Sequence, residues 1–134
     1  MPKEPVEGGS PTPVGPHFHK PLKPILFDIL VILAQGDRHG WSIVRELERG
    51  PGGWKKVLPG NLYRTLRDMT ELGLIEESHT RPDPDEDDER RRYFRITDRG
   101  RTAAEVEAVR LARRLDAAHA ADLLPAEGLR SVSE

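Results

Sequence analysis

The 134-residue sequence contains no cysteine, which excludes disulfide bonds, thiolate zinc sites and cysteine nucleophiles. It also lacks a long apolar run: the longest, Ile25 to Ala34, is interrupted by Asp28 and is about half of the roughly 20 residues that cross a bilayer. Because 21 Lys+Arg are balanced by 23 Asp+Glu, no overall positive field attracts nucleic acid or an anionic membrane. We therefore predict a cytoplasmic protein with no membrane partner, in which any basic surface is local.

Proline and glycine are concentrated at the amino-terminal end. Residues 1–21 contain almost no aliphatic side chains, so they cannot bury enough surface to fold, and we predict a disordered tail there. The rest of the chain has room for one small core. We divide it into a folded domain over 22–97, a helix over 98–124 and a second flexible tail over 125–134.

Apolar residues at helical spacing predict three helices, over Leu22–Ala34, Trp41–Arg49 and Pro59–Leu72. The segment Gln35–Gly40 has the composition of a turn. The apolar stripe of the first helix nearly encircles it, which favours a position that is either central or shared with a partner.

Two strands are predicted next, over Leu74–Ser78 and Arg90–Thr97, with Tyr93 and Ile96 as the inward members of the second. A long polar loop joins them into a β-hairpin. A final helix capped by Thr97 or Asp98 follows. This order predicts a mainly α (α+β) winged helix: a three-helix helix-turn-helix core, a two-stranded β-hairpin wing and a long C-terminal dimerisation helix.

The third helix has one apolar and one polar face. At about 100° per residue its apolar positions form a core face made of Leu62, Leu66, Met69 and Leu72. In a helix-turn-helix, the amino-terminal half of the second motif helix enters the major groove, where arginine binds guanine and asparagine binds adenine. We therefore predict DNA contacts from Asn61, Tyr63, Arg64, Thr65 and Arg67. The alternative is that the arginines belong to an ordinary solvated face.

Further basic residues lie in the predicted hairpin and in the loop before the third helix. We predict phosphate contacts from Arg90, Arg91, Arg92, Arg95, Lys55 and Lys56. The hairpin loop is strongly acidic and would be repelled by DNA. Either its tip points away from DNA, which we favour, or the loop competes with DNA for the hairpin arginines.

Three stretches together resemble the PadR-like transcriptional regulators, a winged-helix family: "ILVILAQGDRHGWSIVREL", "PGNLYRTLRDMTELGLIE" and "RRRYFRITDRG". The resemblance implies a dimeric repressor that binds an inverted-repeat DNA operator, with the first and final helices forming the dimer. It also implies that Asn61 and Tyr63 contact DNA and that Arg91 to Tyr93 lie in the wing strand. Trp41 replaces a more usual tyrosine, and its indole N–H could replace the phenol as a phosphate donor.

The final helix, about 40 Å long at 1.5 Å per residue, is longer than a core of this size can cover. Its apolar stripe therefore needs a partner, and the first helix offers one. We predict a homodimer interface that contains Leu22, Leu26, Val106, Leu111 and Leu115. The alternative is a helix folded back on its own domain.

No acid, base and nucleophile set is recognisable, so we predict no catalytic residues and no enzyme. We predict no cofactor and no metal; His17 and His19 have chelating spacing but lie in the predicted tail. An unidentified small-molecule effector is compatible with the sequence, since either Trp41 or Trp54 could line its pocket, although we interpret Trp41 as an ordinary packing residue. Two other hypotheses stay open: a winged-helix protein-interaction module that does not bind DNA, and a metal or small-molecule sensor.

Overall fold

The computed structural model describes residues 20–55, 57, 59–78 and 92–125. In chain order the elements are α1 (Pro24–Ala34), β1 (Arg38–His39), α2 (Gly40–Arg49), α3 (Pro59–Glu71), β2 (Ile75–Ser78), β3 (Tyr93–Ile96) and α4 (Asp98–Ala120). The predicted winged-helix fold is confirmed, since the described part of the chain has a three-helix core, a small antiparallel sheet and a long final helix.

The hydrophobic core lies between α1, α2 and α3 and is closed by the sheet. Its largest fully buried side chains are Ile29, Leu30, Leu33, Ile43, Leu47, Leu62, Leu66, Met69, Leu74 and Ile75. Burial of each such side chain stabilises the fold by roughly 1.5–3 kcal/mol. The helical periodicity therefore identified the inward faces of α2 and α3 correctly.

The end of α3 differs from the prediction in one residue. Leu72, predicted to be in the core, is 36 % exposed, because α3 ends at Glu71 and the chain then turns away. Gly73 adopts a φ of 79°. Its N–H donates to the carbonyl of Thr70 at 3.0 Å, and the N–H of Leu74 donates to the carbonyl of Met69 at 2.9 Å. This is a Schellman C-cap, which needs a left-handed residue and so favours glycine.

The sheet has three strands in the order β1-β3-β2, all antiparallel, where two strands were predicted. The additional strand, Arg38–His39, lies in a segment predicted to be only a turn; its residues pair with Phe94 and Tyr93. A strand of two residues shows no alternation, so the pattern of the sequence cannot reveal it.

Strand β3 is buried on both faces, which the prediction missed. Tyr93 is buried and Ile96 half-buried as predicted, but Phe94 is also buried, at 4 % exposure, in the hydrophobic core. Tyr93 lies on the other face, where its ring meets that of His39 edge-on at 5.3 Å. Strand β1 supplies this cover for Tyr93 through His39.

The amino-terminal segment is fastened to α4. The buried side chain of Glu107 accepts a hydrogen bond from the N–H of Leu22 at 3.1 Å and forms an ion pair with Arg110 at 2.6 Å. Arg110 also donates to the carbonyl of Lys20 at 3.4 Å. The residues around Leu22 thus pack on their own chain, and α1 is a central helix in contact with α2, β3 and α4.

Helix α4 begins as predicted, at the N-cap Thr97, whose side chain accepts from the N–H of Gly100 at 3.0 Å. It ends at Ala120, four residues before the predicted Leu124, at a cap in which Asp122 has a φ of 61°. Its buried residues, Gly100, Ala103 and Glu107, all lie in the first half of the helix. The second half extends beyond the core.

Candidate nucleic-acid interface

The polar face of α3 is open to solvent. Asn61, Tyr63, Arg64 and Arg67 are exposed, whereas Thr65 is half-buried and its hydroxyl donates to the carbonyl of Asn61 at 3.0 Å. The side chains of Arg64 and Arg67 form no ion pair with any residue that the structure describes. All five predicted contact residues of α3 therefore occur together on or beside one face, with two uncompensated positive charges.

Tyr63 connects this face to the beginning of α2. Its hydroxyl lies so close to Gly40 that a Cβ at Gly40 would be 2.7 Å from the phenolic oxygen. Tyr63 is nevertheless 43 % exposed, so part of its ring faces solvent. A side chain at position 40 would therefore collide with Tyr63, whereas the backbone conformation there does not itself call for glycine.

The same corner is fixed by His39, the N-cap of α2. Its Nδ1 accepts from the N–H of Ser42 at 3.3 Å, while its ring packs on Tyr93 of β3. An N-cap of this kind satisfies one of the amide groups that a helix start leaves unpaired. The small sheet, α2 and α3 therefore meet at one point.

The described wing arginines are paired with carboxylates from the neighbouring strand. Arg92 binds Glu77 through two hydrogen bonds, Nε to Oε2 at 2.9 Å and Nη2 to Oε1 at 3.2 Å, and Arg95 binds Glu76 at 2.7 Å. The hydrogen bond to Glu77, followed by the charge of Glu77, raises the pKa of the Arg92 guanidinium, and a smaller contribution in the same direction comes from Tyr63. Each described wing arginine is thus held by a glutamate of β2.

The ion pairs offset the positive charge of the wing. All four side chains are substantially exposed, from 46 to 62 %, so water screens each pair and its net strength is small. A phosphate group could replace either carboxylate at little cost. Arg90 and Arg91, predicted to contact DNA with them, lie outside the described residues.

Trp41 is 57 % exposed, so the interpretation of this residue as ordinary packing is wrong. The core face of α2 consists of Ile43, Val44 and Leu47, and Trp41 lies off that face in the first turn of the helix. It is adjacent in sequence to Gly40, which contacts Tyr63. The side chain of Trp41 is thus accessible for the predicted DNA contact.

In the loop before α3 the tryptophan is not exposed in the same way. Trp54 is half-buried, and its indole N–H donates to Oδ2 of Asp28 at 2.7 Å. Lys55 is exposed, as a phosphate contact requires, while Lys56 lies outside the described residues. The sequence could not indicate the Trp54–Asp28 bond, because 26 residues separate its partners.

A second basic feature, which sequence reasoning missed, lies along the outer face of α2. Arg45 and Arg49 are exposed one turn apart beside a cleft that Arg38, Ser42 and Glu46 also line. Arg38 is paired with Glu46, which also bonds Ser42 at 3.5 Å. The spacing of Arg45 and Arg49 at i and i+4 was the available signal.

Apolar side chains remain exposed on two faces of α4. Val106, Leu111 and Leu115, predicted to form the dimer, are 40, 41 and 46 % exposed, and Val109 is 51 % exposed. Leu22 and Leu26, the other predicted dimer residues, are instead half-buried against the core of their own chain. Of the predicted dimer residues, those of α4 are therefore the ones left exposed to solvent.

Neither a metal centre nor a membrane span is found in the described part of the chain. Among the described residues, no group of three or more His, Asp or Glu side chains is placed to hold a metal ion. Among those same residues, no helix combines the length and hydropathy that a bilayer crossing requires. His17 and His19 lie outside the described residues.

Comparisons with known proteins bear on the family and the fold. The sequence model of the "Transcriptional regulator PadR-like family" matches residues 29–106, more than half of the chain. Members of this family are transcriptional regulators rather than enzymes, and they bind DNA. No curated protein matches the chain.

Solved structures with similar folds include RosR of H. salinarum, which is 27 % identical over 84 % of this chain and 87 % of its own, with a TM-score of 0.52. A PadR family transcription regulator from Clostridium difficile is 20 % identical over 71 % of this chain and 94 % of its own, with a TM-score of 0.58. A Streptococcus transcriptional regulator is 21 % identical over 73 % of this chain and 91 % of its own, with a TM-score of 0.60. The last two show the fold alone. On the match to the family as a whole, the chain belongs to the PadR-like family of transcriptional regulators.

Proposed function

We propose that this regulator is a cytoplasmic repressor that binds an inverted-repeat DNA operator as a homodimer. The observation that carries the proposal is the face of α3 with Asn61, Tyr63, Arg64 and Arg67 exposed together. These residue types bind base edges and phosphates in the major groove, and the arginines are not neutralised by carboxylates of the described chain.

In this proposal the winged helix over 22–97 is the DNA-binding unit. Helix α3 enters the major groove, and Trp41 and Lys55 contact the phosphate backbone on either side. Arg92 and Arg95 reach the backbone by exchanging Glu77 and Glu76 for phosphate oxygens, because exposed ion pairs are weak. Arg90, Arg91 and Lys56 are proposed to add cations to the same surface.

The segment 98–124 is proposed to form the dimer. The second half of α4 extends beyond the core and exposes Leu111 and Leu115, one turn apart on one face, which a second copy of the chain would bury. Val106 and Val109 are exposed nearer the middle of the helix, on another face. A two-fold dimer would present two α3 helices, and an inverted repeat with half-sites about one helical turn apart, roughly 34–36 Å, would match them.

Selection of bound duplexes from a random library at near-physiological salt tests the DNA-binding half of the proposal, because that salt suppresses purely electrostatic binding. We expect recovery of an inverted repeat. Enrichment of no sequence would contradict the proposal.

The dimer is tested separately by sedimentation of Leu111→Glu and Leu115→Glu. Each variant is expected to shift the protein towards a monomer, because a buried unpaired carboxylate is strongly unfavourable. Thr70→Glu adds the same charge at an exposed position of α3 and is expected to leave the mass unchanged. A monomeric wild-type protein, or dimers in all three variants, would contradict the proposed interface.

A second candidate function is a winged-helix module that binds another protein. The ion pairs Arg92–Glu77 and Arg95–Glu76 favour it, since each offsets the positive charge of a wing arginine. The random-library selection separates the two candidates, because a module of this kind would enrich no duplex.

A further inference from the structure

A small cavity lies between α1, the carboxyl end of α2 and the loop over residues 50–54. Its volume is about 250 Å³. Most of its wall is apolar and comes from Phe27, Val31, Ile32, Leu47 and the indole of Trp54. It is separate from the polar face of α3 and from the exposed surface of α4.

One wall of the cavity carries a half-buried carboxylate, that of Asp28. Its Oδ2 accepts the indole N–H of Trp54 at 2.7 Å. Within the described residues, Asp28 has no further hydrogen-bond partner and no cation paired with it. A carboxylate can accept about four hydrogen bonds, so Asp28 retains most of its hydrogen-bonding capacity.

The other polar groups of the wall are already engaged. Glu46 is paired with Arg38, and the side-chain amide of Gln35 donates to the carbonyl of Val31 at 3.1 Å. No lysine or arginine occurs among the described residues that line the cavity. The cavity therefore combines an apolar and aromatic wall with a single uncompensated negative charge.

The Asp28–Trp54 pair is held in place by close contact with the loop. A Cβ at Gly52 would lie 2.3 Å from Oδ2 of Asp28 and 2.5 Å from Nε1 of Trp54. Only glycine leaves room for the loop to cover this hydrogen bond. The loop, the indole of Trp54 and the carboxylate of Asp28 are thus packed tightly against one another.

We propose that this cavity binds a small amphipathic cation, an aromatic or branched alkyl ammonium. Its ammonium group donates to Asp28, and its apolar body packs against the indole of Trp54 and the neighbouring aliphatic side chains. A carboxylate is a favourable partner for an ammonium group, and an indole is a favourable wall for its apolar body. The cavity is smaller than the roughly 300–1,000 Å³ of sites for drug-sized ligands, so the ligand is a compact amine.

Ligand binding is tested by fluorescence in a Trp41→Phe background, in which Trp54 is the remaining tryptophan of the two. The probes are 2-phenylethylammonium, the neutral 2-phenylethanol and the anionic 3-phenylpropionate, which share one apolar body. We expect only the ammonium probe to change the emission of Trp54, with a dissociation constant on the order of 1 mM. DNA is absent from this assay, so its outcome is independent of the proposed operator binding.

Two variants show whether the binding occurs in this cavity. Asp28→Asn retains an acceptor for the Trp54 indole but removes the charge, and we expect it to weaken the ammonium probe about tenfold or more. Val31→Phe enlarges a partly exposed wall residue into the cavity and is expected to abolish binding. Asp116→Asn, at an exposed position of α4, is the matched control and is expected to have no effect.

Equal binding of the neutral and cationic probes, unchanged affinity in Asp28→Asn, or binding of none of the three probes would each overturn the proposal. Calorimetric titration of the same variants provides a second measurement that does not depend on Trp54 emission.

Discussion

Helix α3 and the wing hairpin both display arginines, but they display them differently. Arg64 and Arg67 have no described carboxylate partner, whereas Arg92 and Arg95 are each held by a glutamate of β2. An unpaired guanidinium can form a bidentate bond to a base or phosphate without first losing a partner. The difference indicates that α3 supplies most of the proposed DNA affinity, and that the wing adds a smaller and more salt-sensitive part.

The largest effect is expected from Arg67→Ala. Loss of an unpaired arginine that contacts a base edge should weaken operator binding roughly tenfold to a hundredfold, about 1–3 kcal/mol, in an equilibrium fluorescence titration. Arg101→Ala removes an exposed arginine from α4 and serves as the control. Equal effects of the two substitutions would contradict the assignment of α3 as the recognition helix.

Gly40→Ala tests the corner where α2 supports Tyr63. The new methyl group would clash with the phenolic oxygen, so we expect a loss of about 1–3 kcal/mol of unfolding free energy in urea denaturation, together with weaker DNA binding. The double variant Gly40→Ala/Tyr63→Ala should recover the stability but not the DNA binding.

Gly60→Ala is the matched control for this glycine. A Cβ at Gly60 meets no atom within 4 Å, and alanine favours a helix, so stability should be unchanged or slightly raised. If Gly40→Ala were as harmless as Gly60→Ala, the contact with Tyr63 would have no structural role.

A smaller effect, of the opposite sign, is expected from Glu77→Gln and Glu76→Gln. Each releases a wing arginine from its carboxylate, so operator affinity should rise a few-fold. The slope of log affinity against log salt should steepen by up to about 0.9 for each additional phosphate that an arginine neutralises. Glu48→Gln, an exposed carboxylate of α2, controls for the change in net charge. Unchanged affinity and slope would show that the wing arginines do not bind DNA.

The smallest effect concerns stability. Because both wing pairs are exposed, Glu77→Gln should change the unfolding free energy by no more than about 1 kcal/mol. Thermal unfolding monitored by circular dichroism checks this expectation. A large loss would mean that the pair holds the hairpin together, and any increase in DNA affinity would then need another explanation.

The same two regions show how far the sequence could predict the structure. Helix α3 is defined by local signals, namely the spacing of Leu62, Leu66 and Met69 and the glycine at its end, so its two faces could be predicted without knowledge of the rest of the fold. The wing depends on strand register. Nothing in the local pattern shows that Glu76 lies opposite Arg95, or that β1 covers Tyr93.

Long-range packing accounts for the other differences. Trp41 was misjudged because a large aromatic residue in a short helix is usually buried, and only the packing of α2 shows that its first turn is open. The bond between Trp54 and Asp28 joins two elements that no periodicity relates. The predicted roles of these residues in DNA or ligand binding remain predictions.

Parallel selections from one random duplex library, with the wild-type protein and with Arg67→Ala, test the central claim most directly. We predict that the wild-type protein enriches an inverted repeat, and that Arg67→Ala enriches the same repeat with sequence preference lost at one position in each half-site. Identical sequence preferences in the two selections, or no enrichment by the wild-type protein, would contradict the claim that α3 recognises the operator.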